Sequence, residues 1–298
     1  MYPLALNNKR ITIVGEAIGN IGLDSIRRIE ESDPQFVALK RVYERTGSPK
    51  VTCLAAICNA IVSYRLTGLG EDYWLEFAEY FSKLNIPVNT SPDYIVDSVI
   101  EFLFVSKNNR LLINQKINRL RKLKKTGAHT IIFDKCPDIV YDLRKLLVII
   151  ANSVGARPDA KTIVFAAKMA YYVARIHGIN TTPPMDIMIP VDRRIGLLSY
   201  TSGIVDVKTK IANRRVLEEI LLRYSDVPRE AWRRVSIISS VPPLNIDSLV
   251  WFVSRGLGRI DISAIRRNAI NTLLTILGEK HRWKIVKLVK EIYFRDIR

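Results

Sequence analysis

The sequence of 298 residues predicts an all-α protein. Apolar residues recur at helical spacing in one segment after another, and two-residue hairpin signals of the Asn-Gly kind are missing. Prolines also mark predicted helix starts, such as the one at Pro34. Because 48% of the residues are hydrophobic, the chain can bury a substantial core, either as one domain or as two lobes that share an interface.

The charge balance indicates a polyanionic partner. Lysine and arginine number 46 against 29 aspartates and glutamates, which gives a formal net charge of +17. Nucleic acid is the first partner to consider, although ribosome-associated and membrane-surface proteins share such a balance. There is no apolar run of about 18 residues and no signal-peptide core, so we expect a cytoplasmic protein that does not bind membranes.

The cysteines and histidines do not suggest a metal centre. Cys53, Cys58 and Cys136 include no C-x-x-C pair, and the three histidines are far apart in the sequence. We therefore expect no metal and no cofactor. Any catalysis would come from amines, carboxylates and positioned aromatic rings.

In the first third of the chain, residues 11–14 (I-T-I-V) suggest a short extended segment. The next clear feature is a helix start at residues 31–34, with Ser32 or Asp33 as the cap and Pro34 at the first helical position. Residues 51–66 form an apolar core helix, which the glycines at 68 and 70 end.

A helix then resumes at residues 71–81. Trp74, Phe77 and Phe81 lie at helical spacing along it, and such a stripe most often belongs to a core. The segment 105–133 that follows has no acidic residue. Its basic residues favour contact with phosphates over a merely solvated face, and they are Lys107, Arg110, Lys116, Arg119, Arg121, Lys122, Lys124 and Lys125.

Residues 138–152 predict a helix with a strongly apolar face, and residues 153–160 (S-V-G-A-R-P-D-A) predict a hairpin that leads into a second helix. Asp159 can cap that second helix, which places Lys161 in its first turn. The positive end of the helix dipole disfavours a charged amine there, so Lys161 is a candidate nucleophile. Spacing alone favours a different interpretation, in which Lys161 is a solvated first-turn lysine and Lys168 a snorkelling one.

A long connection follows, and Asp192 comes two residues after Pro190, in a position suited to capping the next helix. A later helix starts at the prolines and Asn245 in P-P-L-N-I-D-S-L-V-W. Asp247 and Trp251 share one face of it at i, i+4. Unaided, this pattern indicates a first-turn acid and a buried core tryptophan.

Four segments together resemble the archaeal 8-oxoguanine DNA glycosylase/AP lyase family of the helix-hairpin-helix DNA glycosylase superfamily. They are K-T-I-V-F-A-A-K-M from residue 161, P-V-D at 190–192, G-E-D-Y-W-L-E-F at 70–77 and I-D-S-L-V-W at 246–251. The resemblance implies one helix-hairpin-helix unit over residues 1–298, with two helical lobes flanking a base-binding cleft. Lobe one would span about 60–178, including the hairpin, and lobe two 1–59 plus 179–298.

The same resemblance implies a role for each matching residue. Lys161 would form a Schiff base with the sugar of an extruded nucleotide, and Asp192 would assist it. Phe165 and Trp251 would sandwich the base, with Trp232 as the main rival of Trp251. The edge of the base would be bordered by Gln35, Trp74, Lys168 and Asp247. We expect contacts to the DNA backbone from Arg119, Lys122, Arg157 and Arg193.

The chain also departs from the wider superfamily. Its hairpin is longer and poorer in glycine than the common form, and three cysteines are too few for the four-cysteine iron–sulfur cluster that some relatives hold. The partner implied is DNA containing 8-oxoguanine, double-stranded and in addition single-stranded, bound by a monomeric, nucleoid-associated enzyme.

Two other function classes stay open. A non-catalytic helix-hairpin-helix protein would explain the charge and the hairpin, but not the lysine, aspartate and aromatic set. A Schiff-base enzyme for small carbonyl compounds is disfavoured because the basic, helical chain shows no βα repeat.

Overall fold

A computed structural model describes residues 3–87, 89–209, 213–257 and 261–296. Within these ranges it confirms the all-α prediction, with sixteen α-helices and two three-residue strands. The chain forms two compact units, one from residues 1–32 and 185–298 and the other from Asp33–Pro184. The first boundary therefore lies at residue 32 and not near residue 60, because the two helices after it pack within the Asp33–Pro184 unit.

The Asp33–Pro184 unit contains eight α-helices among its described residues. They are α3 (Pro34–Thr46), α4 (Pro49–Ile61), α5 (Gly70–Lys83), α6 (Pro92–Val105), α7 (Ile113–Lys125), α8 (Ala128–Lys135), α9 (Leu143–Val154) and α10 (Lys161–Ile176). A 3₁₀ helix at Asp138–Asp142 precedes α9. The single helix predicted over 138–152 is thus divided, since Asp142 caps α9 by accepting a hydrogen bond from the Lys145 amide (3.1 Å).

The core of this unit is built around α10. This helix packs against α4, α3 and α9, and its residues 166–174 are all buried. Every residue of α4 from Val51 to Ile61 is buried as well. Both helices are rich in alanine, which allows their backbones to approach closely. Helices that are apolar on all sides belong inside a domain, so the predicted core role of α4 is confirmed.

A disulfide joins α4 to the segment after α8. Cys53 and Cys136 are bonded, their Cα atoms are 6.2 Å apart, and 83 positions separate them in the sequence. The spacing of the cysteines carried no signal for this pair. Cys58 is free and buried, and burial raises the pKa of its thiol.

The other unit holds the remaining elements. They are β1 (Leu4–Leu6), α1 (Asn8–Ile21), α2 (Leu23–Glu30), α11 (Arg193–Thr201), β2 (Val205–Val207), α12 (Arg214–Arg223), α13 (Asp226–Ser239), α14 (Pro243–Val253), α15 (Ile262–Leu277) and α16 (Arg282–Ile292). The two strands pair antiparallel, with Leu4 opposite Val207.

The extended segment predicted at residues 11–14 is wrong, because these residues lie inside α1. Asn7 caps that helix by accepting a hydrogen bond from the Arg10 amide (3.1 Å). Ile11, Val14 and Ile18 then recur at helical spacing and are all buried. The short run of β-branched residues was therefore overridden by a cap and by core packing.

Three buried or partly buried polar contacts hold the ends of this unit together. Arg10 pairs with Glu291 (2.7 Å) and donates to the carbonyl of Ser202 (2.9 Å). Glu30 accepts a hydrogen bond from Asn245 (2.7 Å). The prolines mark the start of α14 as predicted, with Pro242 at the cap position, whereas Asn245 is the third helical residue and is buried.

No single helix among the described residues combines the length and apolar character of a membrane span. The helices α13 and α14 meet that test only as a pair, and they are bent by 105°.

The disulfide predicts a stability that depends on reductant. Closing a loop of 83 residues stabilises a domain by about 3–5 kcal/mol in the chain-entropy account. Thermal unfolding of the wild type is therefore expected at a lower temperature after reduction. The double variant Cys53→Ala/Cys136→Ala should unfold at that lower temperature with or without reductant. An unfolding midpoint temperature of the wild type that is the same with and without reductant would contradict this expectation.

Candidate active site

The hairpin between α9 and α10 is closed by local contacts. Gly155 ends α9 in the left-handed region (φ 69°), where glycine is favoured. The Arg157 guanidinium then donates two hydrogen bonds to the Asp159 carboxylate (2.9 and 2.8 Å). The residue at the cap position of α10 is Ala160, so the prediction that Asp159 caps this helix is wrong.

Lys161 is the first residue of α10, and its side chain is exposed. The next residue, Thr162, accepts a hydrogen bond from Arg119 of α7 (3.0 Å). The Arg119 guanidinium also lies over the Tyr64 ring (5.7 Å), and burial lowers the pKa of Arg119. The basic helix α7 is thus fixed to the turn that carries Lys161, and no sequence pattern predicts this contact.

A surface pocket of about 430 Å³ lies between α7 and the hairpin. Four polar or basic side chains point to it from α7, and Tyr64 and the hairpin backbone complete its wall. The lining residues are Tyr64, Gln115, Asn118, Arg119, Lys122, Val154, Gly155 and Ala156.

Lys168 lies two turns along α10 and is buried, with 4% of its surface exposed. Its Nζ is 3.9 Å from Oδ2 of Asp33, which is also buried. The Tyr172 hydroxyl donates to the same oxygen (2.9 Å), and the backbone N–H of Gln35 donates to Oδ1 of Asp33 (3.0 Å). Asp33 therefore caps α3 as predicted and is in addition the counter-ion of Lys168. The snorkelling interpretation of Lys168 is wrong.

Two aromatic side chains predicted to border a base lie in contact. Trp74 of α5 meets Phe165 of α10 edge to face, with ring centroids 5.8 Å apart. Trp74 is buried, with Phe77 against it in the same manner (5.5 Å), whereas Phe165 is partly exposed. The structure therefore presents Phe165 to solvent and places Trp74 behind it as support.

In the other unit, Asp192 caps α11 as predicted. Its Oδ1 accepts hydrogen bonds from the amides of Arg194 (2.9 Å) and Ile195 (3.0 Å), and the residue is half-buried. Arg193 is exposed, with Nε 3.8 Å from the carboxylate of Glu218.

The helix α14 carries Asp247 and Trp251 one turn apart, both half-buried. The Arg255 guanidinium lies 4.9 Å from the centre of the Trp251 ring. Trp232 is 1% exposed, and its indole N–H donates to Ser199 (2.9 Å). Because Trp232 belongs to the core, Trp251 is the better candidate for a stacking plane in this unit, and the expectation that Trp251 is fully buried is wrong.

The basic segment 105–133 is not uniformly available for phosphates. Lys116 is buried and donates to Asn109, and burial lowers its pKa to about 8. Lys124 pairs with Asp93 (3.1 Å) and Asp97 (2.9 Å). The prediction of phosphate contact is therefore wrong for the buried Lys116, whereas for Lys124 it stays a prediction. The members with exposed side chains are Lys107, Arg110, Arg121, Lys122 and Lys125.

Within the described ranges, no group of three or more histidine, cysteine, aspartate or glutamate side chains is arranged to hold a metal ion. The Asp33–Pro184 unit carries an exposed amine, a half-exposed ring and a buried ion pair. The other unit carries a capping carboxylate, a half-exposed ring and an exposed arginine.

Comparisons with known proteins give one consistent result. A family model described as AGOG: N-glycosylase/DNA lyase matches residues 15–287. The N-glycosylase/DNA lyase of Thermococcus kodakarensis is 34% identical over 252 residues, which cover 84% of this chain and 86% of the relative. That of Pyrobaculum aerophilum is 33% identical over 244 residues, covering 80% and 84%.

Among solved structures, the chain is similar to an 8-oxoguanine DNA glycosylase from Pyrobaculum aerophilum, crystallised in complex with 8-oxoguanosine. The TM-score is 0.70 at 27% identity, over 92% of this chain and 98% of that one.

The buried ion pair predicts an asymmetric response to substitution. Asp33→Asn keeps an oxygen that can cap α3 but removes the counter-charge of buried Lys168, so the free energy of unfolding should fall by about 3 kcal/mol. Adding Lys168→Met should recover most of that loss. Denaturant unfolding of the single and double variants tests this, and a single variant as stable as the wild type would show that the pair contributes little.

Proposed function

The chain belongs to the AGOG family of N-glycosylase/DNA lyases, and we propose that it excises 8-oxoguanine from DNA with Lys161 as the nucleophile. Family membership makes it a DNA repair glycosylase with lyase activity. The substrate is proposed from the 8-oxoguanine glycosylase that the fold is similar to. A glycosylase that also cuts the strand needs an amine that reaches the sugar.

The difference in exposure between the two lysines of α10 carries this proposal. Lys161 is exposed at the first turn, beside the hairpin, whereas Lys168 is buried and held near Asp33. An amine that must meet an incoming deoxyribose has to be accessible, and a buried, ion-paired ammonium is a poor nucleophile. Lys161 therefore takes the covalent role and Lys168 a place at the edge of the base.

The proposed reaction proceeds in four steps. The neutral Lys161 amine attacks C1′ of the extruded nucleotide, the C1′–N9 bond breaks, and the base leaves with that electron pair and a proton. Opening of the sugar ring gives a Schiff base between Nζ and C1′. Loss of a C2′ proton then breaks the C3′–O bond and cuts the strand. Water releases Lys161 from the product.

Asp192 is proposed to stabilise the positive charge that develops on the sugar and to help remove a proton from Lys161. Two backbone amides bond to its Oδ1, which fixes the carboxylate at the start of α11. A fixed charge needs no reorganisation during the reaction, so a helix cap is well suited to this role.

The 8-oxoguanine base is proposed to stack on Phe165 and Trp251, the two half-exposed rings. Trp74 supports Phe165 from behind, while Gln35, Lys168 and Asp247 offer hydrogen-bonding groups to the base edge. Recovering the energy of extrusion requires such stacking and hydrogen bonding, since removing a nucleotide from a duplex costs a few kcal/mol.

Contacts to the DNA backbone are proposed for the exposed cations Lys122, Arg157 and Arg193. Arg119 is more constrained because it already donates to Thr162, so it approaches phosphate from within the pocket it shares with Lys122. Such contacts give affinity that falls with salt and carry no sequence preference. We propose that the enzyme acts as a monomer on double-stranded and single-stranded DNA in the nucleoid.

The first functional prediction concerns the nucleophile. Lys161→Gln should abolish both strand cleavage and borohydride trapping on an oligonucleotide with 8-oxoguanine, because no primary amine remains to form the Schiff base. Lys145→Gln, an exposed lysine on α9, is the matched control and should behave like the wild type. If trapping survives in Lys161→Gln but is lost in Lys168→Gln, the nucleophile is Lys168 and not Lys161.

The second concerns the carboxylate. Asp192→Asn keeps a side-chain oxygen that can cap α11, so DNA binding measured by fluorescence anisotropy should be unchanged. Single-turnover excision should fall about a hundredfold or more through loss of the charge. Asp261→Asn is the matched control, because Asp261 caps α15 in the same way, with bonds from Ser263 (2.8 Å) and Ala264 (3.2 Å). Weakened binding with normal chemistry would make Asp192 structural.

A further inference from the structure

The helix α16 exposes large apolar side chains along one face. Trp283 and Val286 lie three residues apart on it and are 60% and 41% exposed, and Phe294, just beyond its end, is 54% exposed. The other three tryptophans of the chain are buried or half-buried. Single exposed apolar residues are common on protein surfaces, whereas a group of large ones marks a contact surface.

A groove of about 620 Å³ lies beside this face, and we refer to it as the α16 groove. The helix α16 packs against both α1 and α15, and all three helices supply apolar side chains to the groove. These side chains, together with that of Phe294, are Ile13, Ile270, Val286 and Val289. The groove is formed within one unit, because all of its lining residues belong to residues 1–32 and 185–298.

Polar contacts fix the aromatic end of the groove. The Arg10 guanidinium lies over the Phe294 ring (3.9 Å) and pairs with Glu291 (2.7 Å). The preceding residue, Tyr293, is buried, and its carbonyl accepts a hydrogen bond from Arg266. Phe294 is therefore presented to solvent from a fixed backbone. A contact surface that is already ordered binds a partner at a lower entropic cost.

The surroundings of the groove are basic. From residue 262 to residue 292, which covers α15 and α16, there are seven lysines and arginines and two glutamates. Each of the two glutamates is already paired with an arginine (2.6 and 2.7 Å). Lys287 and Lys290 of α16 are exposed and form no ion pair with a described residue. Their charge therefore favours a partner that brings anions.

The groove lies at the end of α11 that is remote from the proposed catalytic carboxylate. Asp192 caps the start of α11, whereas Arg10 of the groove donates to the carbonyl of Ser202, the residue that ends this helix (2.9 Å). A helix of nine residues is about 14 Å long. An occupant of the groove thus has room to bind without covering Asp192.

The combination of an apolar groove and a basic rim selects among three kinds of occupant. A second copy of this chain would place the same face against itself in a two-fold dimer, so the cations of the two copies would repel each other. A DNA duplex offers phosphates but keeps its bases stacked inside, which leaves the apolar walls unfilled. A protein segment with carboxylates and large apolar side chains matches both the walls and the rim.

We propose that the α16 groove binds an acidic peptide segment of a partner protein. Apolar side chains of the segment lie between Val286 and Phe294, and its carboxylates lie on Lys287 and Lys290. Trp283 packs on the segment beyond the groove, as an exposed aromatic anchor. The site tethers a partner while the proposed active site stays open to DNA, and it does not depend on the chemistry at Lys161.

A random peptide display library tests the chemistry of the occupant, because the groove selects its own ligand. The library is first depleted on Val286→Ser/Phe294→Ser and then panned on the wild-type chain, with excess duplex DNA present to occupy DNA-binding surfaces. The enriched peptides should be acidic and contain large apolar residues. Enrichment of basic or uncharged peptides, or no enrichment after depletion, overturns the proposal.

An enriched peptide with a fluorescein label then tests the two parts of the site by fluorescence anisotropy. Its Kd should rise about tenfold or more in Val286→Ser/Phe294→Ser, which removes the apolar contacts. A similar rise is expected in Lys287→Glu/Lys290→Glu, which changes exposed positions and reverses the charge of the rim. A Kd that neither double variant changes overturns the proposal.

The matched controls lie on α9 in the other unit. Val148 and Lys145 are exposed there, so Val148→Ser and Lys145→Glu should leave the Kd for the peptide unchanged. Thermal unfolding should show that all variants are folded.

The other two occupants have outcomes of their own. Lys287→Glu/Lys290→Glu should bind and excise from DNA containing 8-oxoguanine as the wild type does, and a loss of affinity for duplex or single-stranded DNA would make the face a nucleic-acid surface. A wild-type dimer in sedimentation that Val286→Ser/Phe294→Ser dissociates would make it a subunit interface. Either result overturns the proposal. A wild type without excision activity refutes the proposed function alone, since peptide binding is measured without it.

Discussion

The burial of α10 is the constraint on which the rest of the site depends. From residue 166 to residue 174 the helix has no exposed position, so the buried ammonium of Lys168 must have an anion beside it. Asp33 supplies that anion and at the same time caps α3, which fixes the start of α3 against the middle of α10. Of the two lysines of α10, only Lys161, in the first turn, is then reachable from solvent. The two lysines, seven residues apart in the sequence, thus lie in opposite environments, one exposed and one buried in an ion pair.

The net charge of +17 acts through a few places and not through the whole surface. Packing withdraws Lys116 into the core and pairs Lys124 with two aspartates. The exposed cations that remain on this segment include Lys107 and Arg110 between α6 and α7, and Lys122 beside the hairpin pocket. A polyanion that approaches this unit would therefore meet exposed cations beside the hairpin that precedes Lys161, where phosphate contacts can position a duplex without reading its sequence.

Much of the fold could be predicted because its signals are local. A capping side chain followed by proline gives the start of α3, and a carboxylate after Pro190 gives the start of α11. The errors arise where distant contacts decide. Residues 11–14 join a helix because their side chains face a core assembled from elsewhere in the chain. Asp159 pairs with Arg157, and Ala160 occupies the cap position of α10. The Cys53–Cys136 bond and the Lys168–Asp33 pair join positions remote in sequence, so a single chain's pattern carries no trace of them. The resemblance to a family supplied the site residues that spacing alone left ambiguous.

The central claim is that the exposed α10 amine, and not the buried one, bonds to the sugar. The most direct measurement is to reduce the complex with borohydride on DNA containing 8-oxoguanine, digest the protein, and locate the nucleotide-modified peptide by mass spectrometry. The account predicts one adduct, on Lys161. An adduct on Lys168, on the N-terminal amine or on any lysine outside α10 would contradict it.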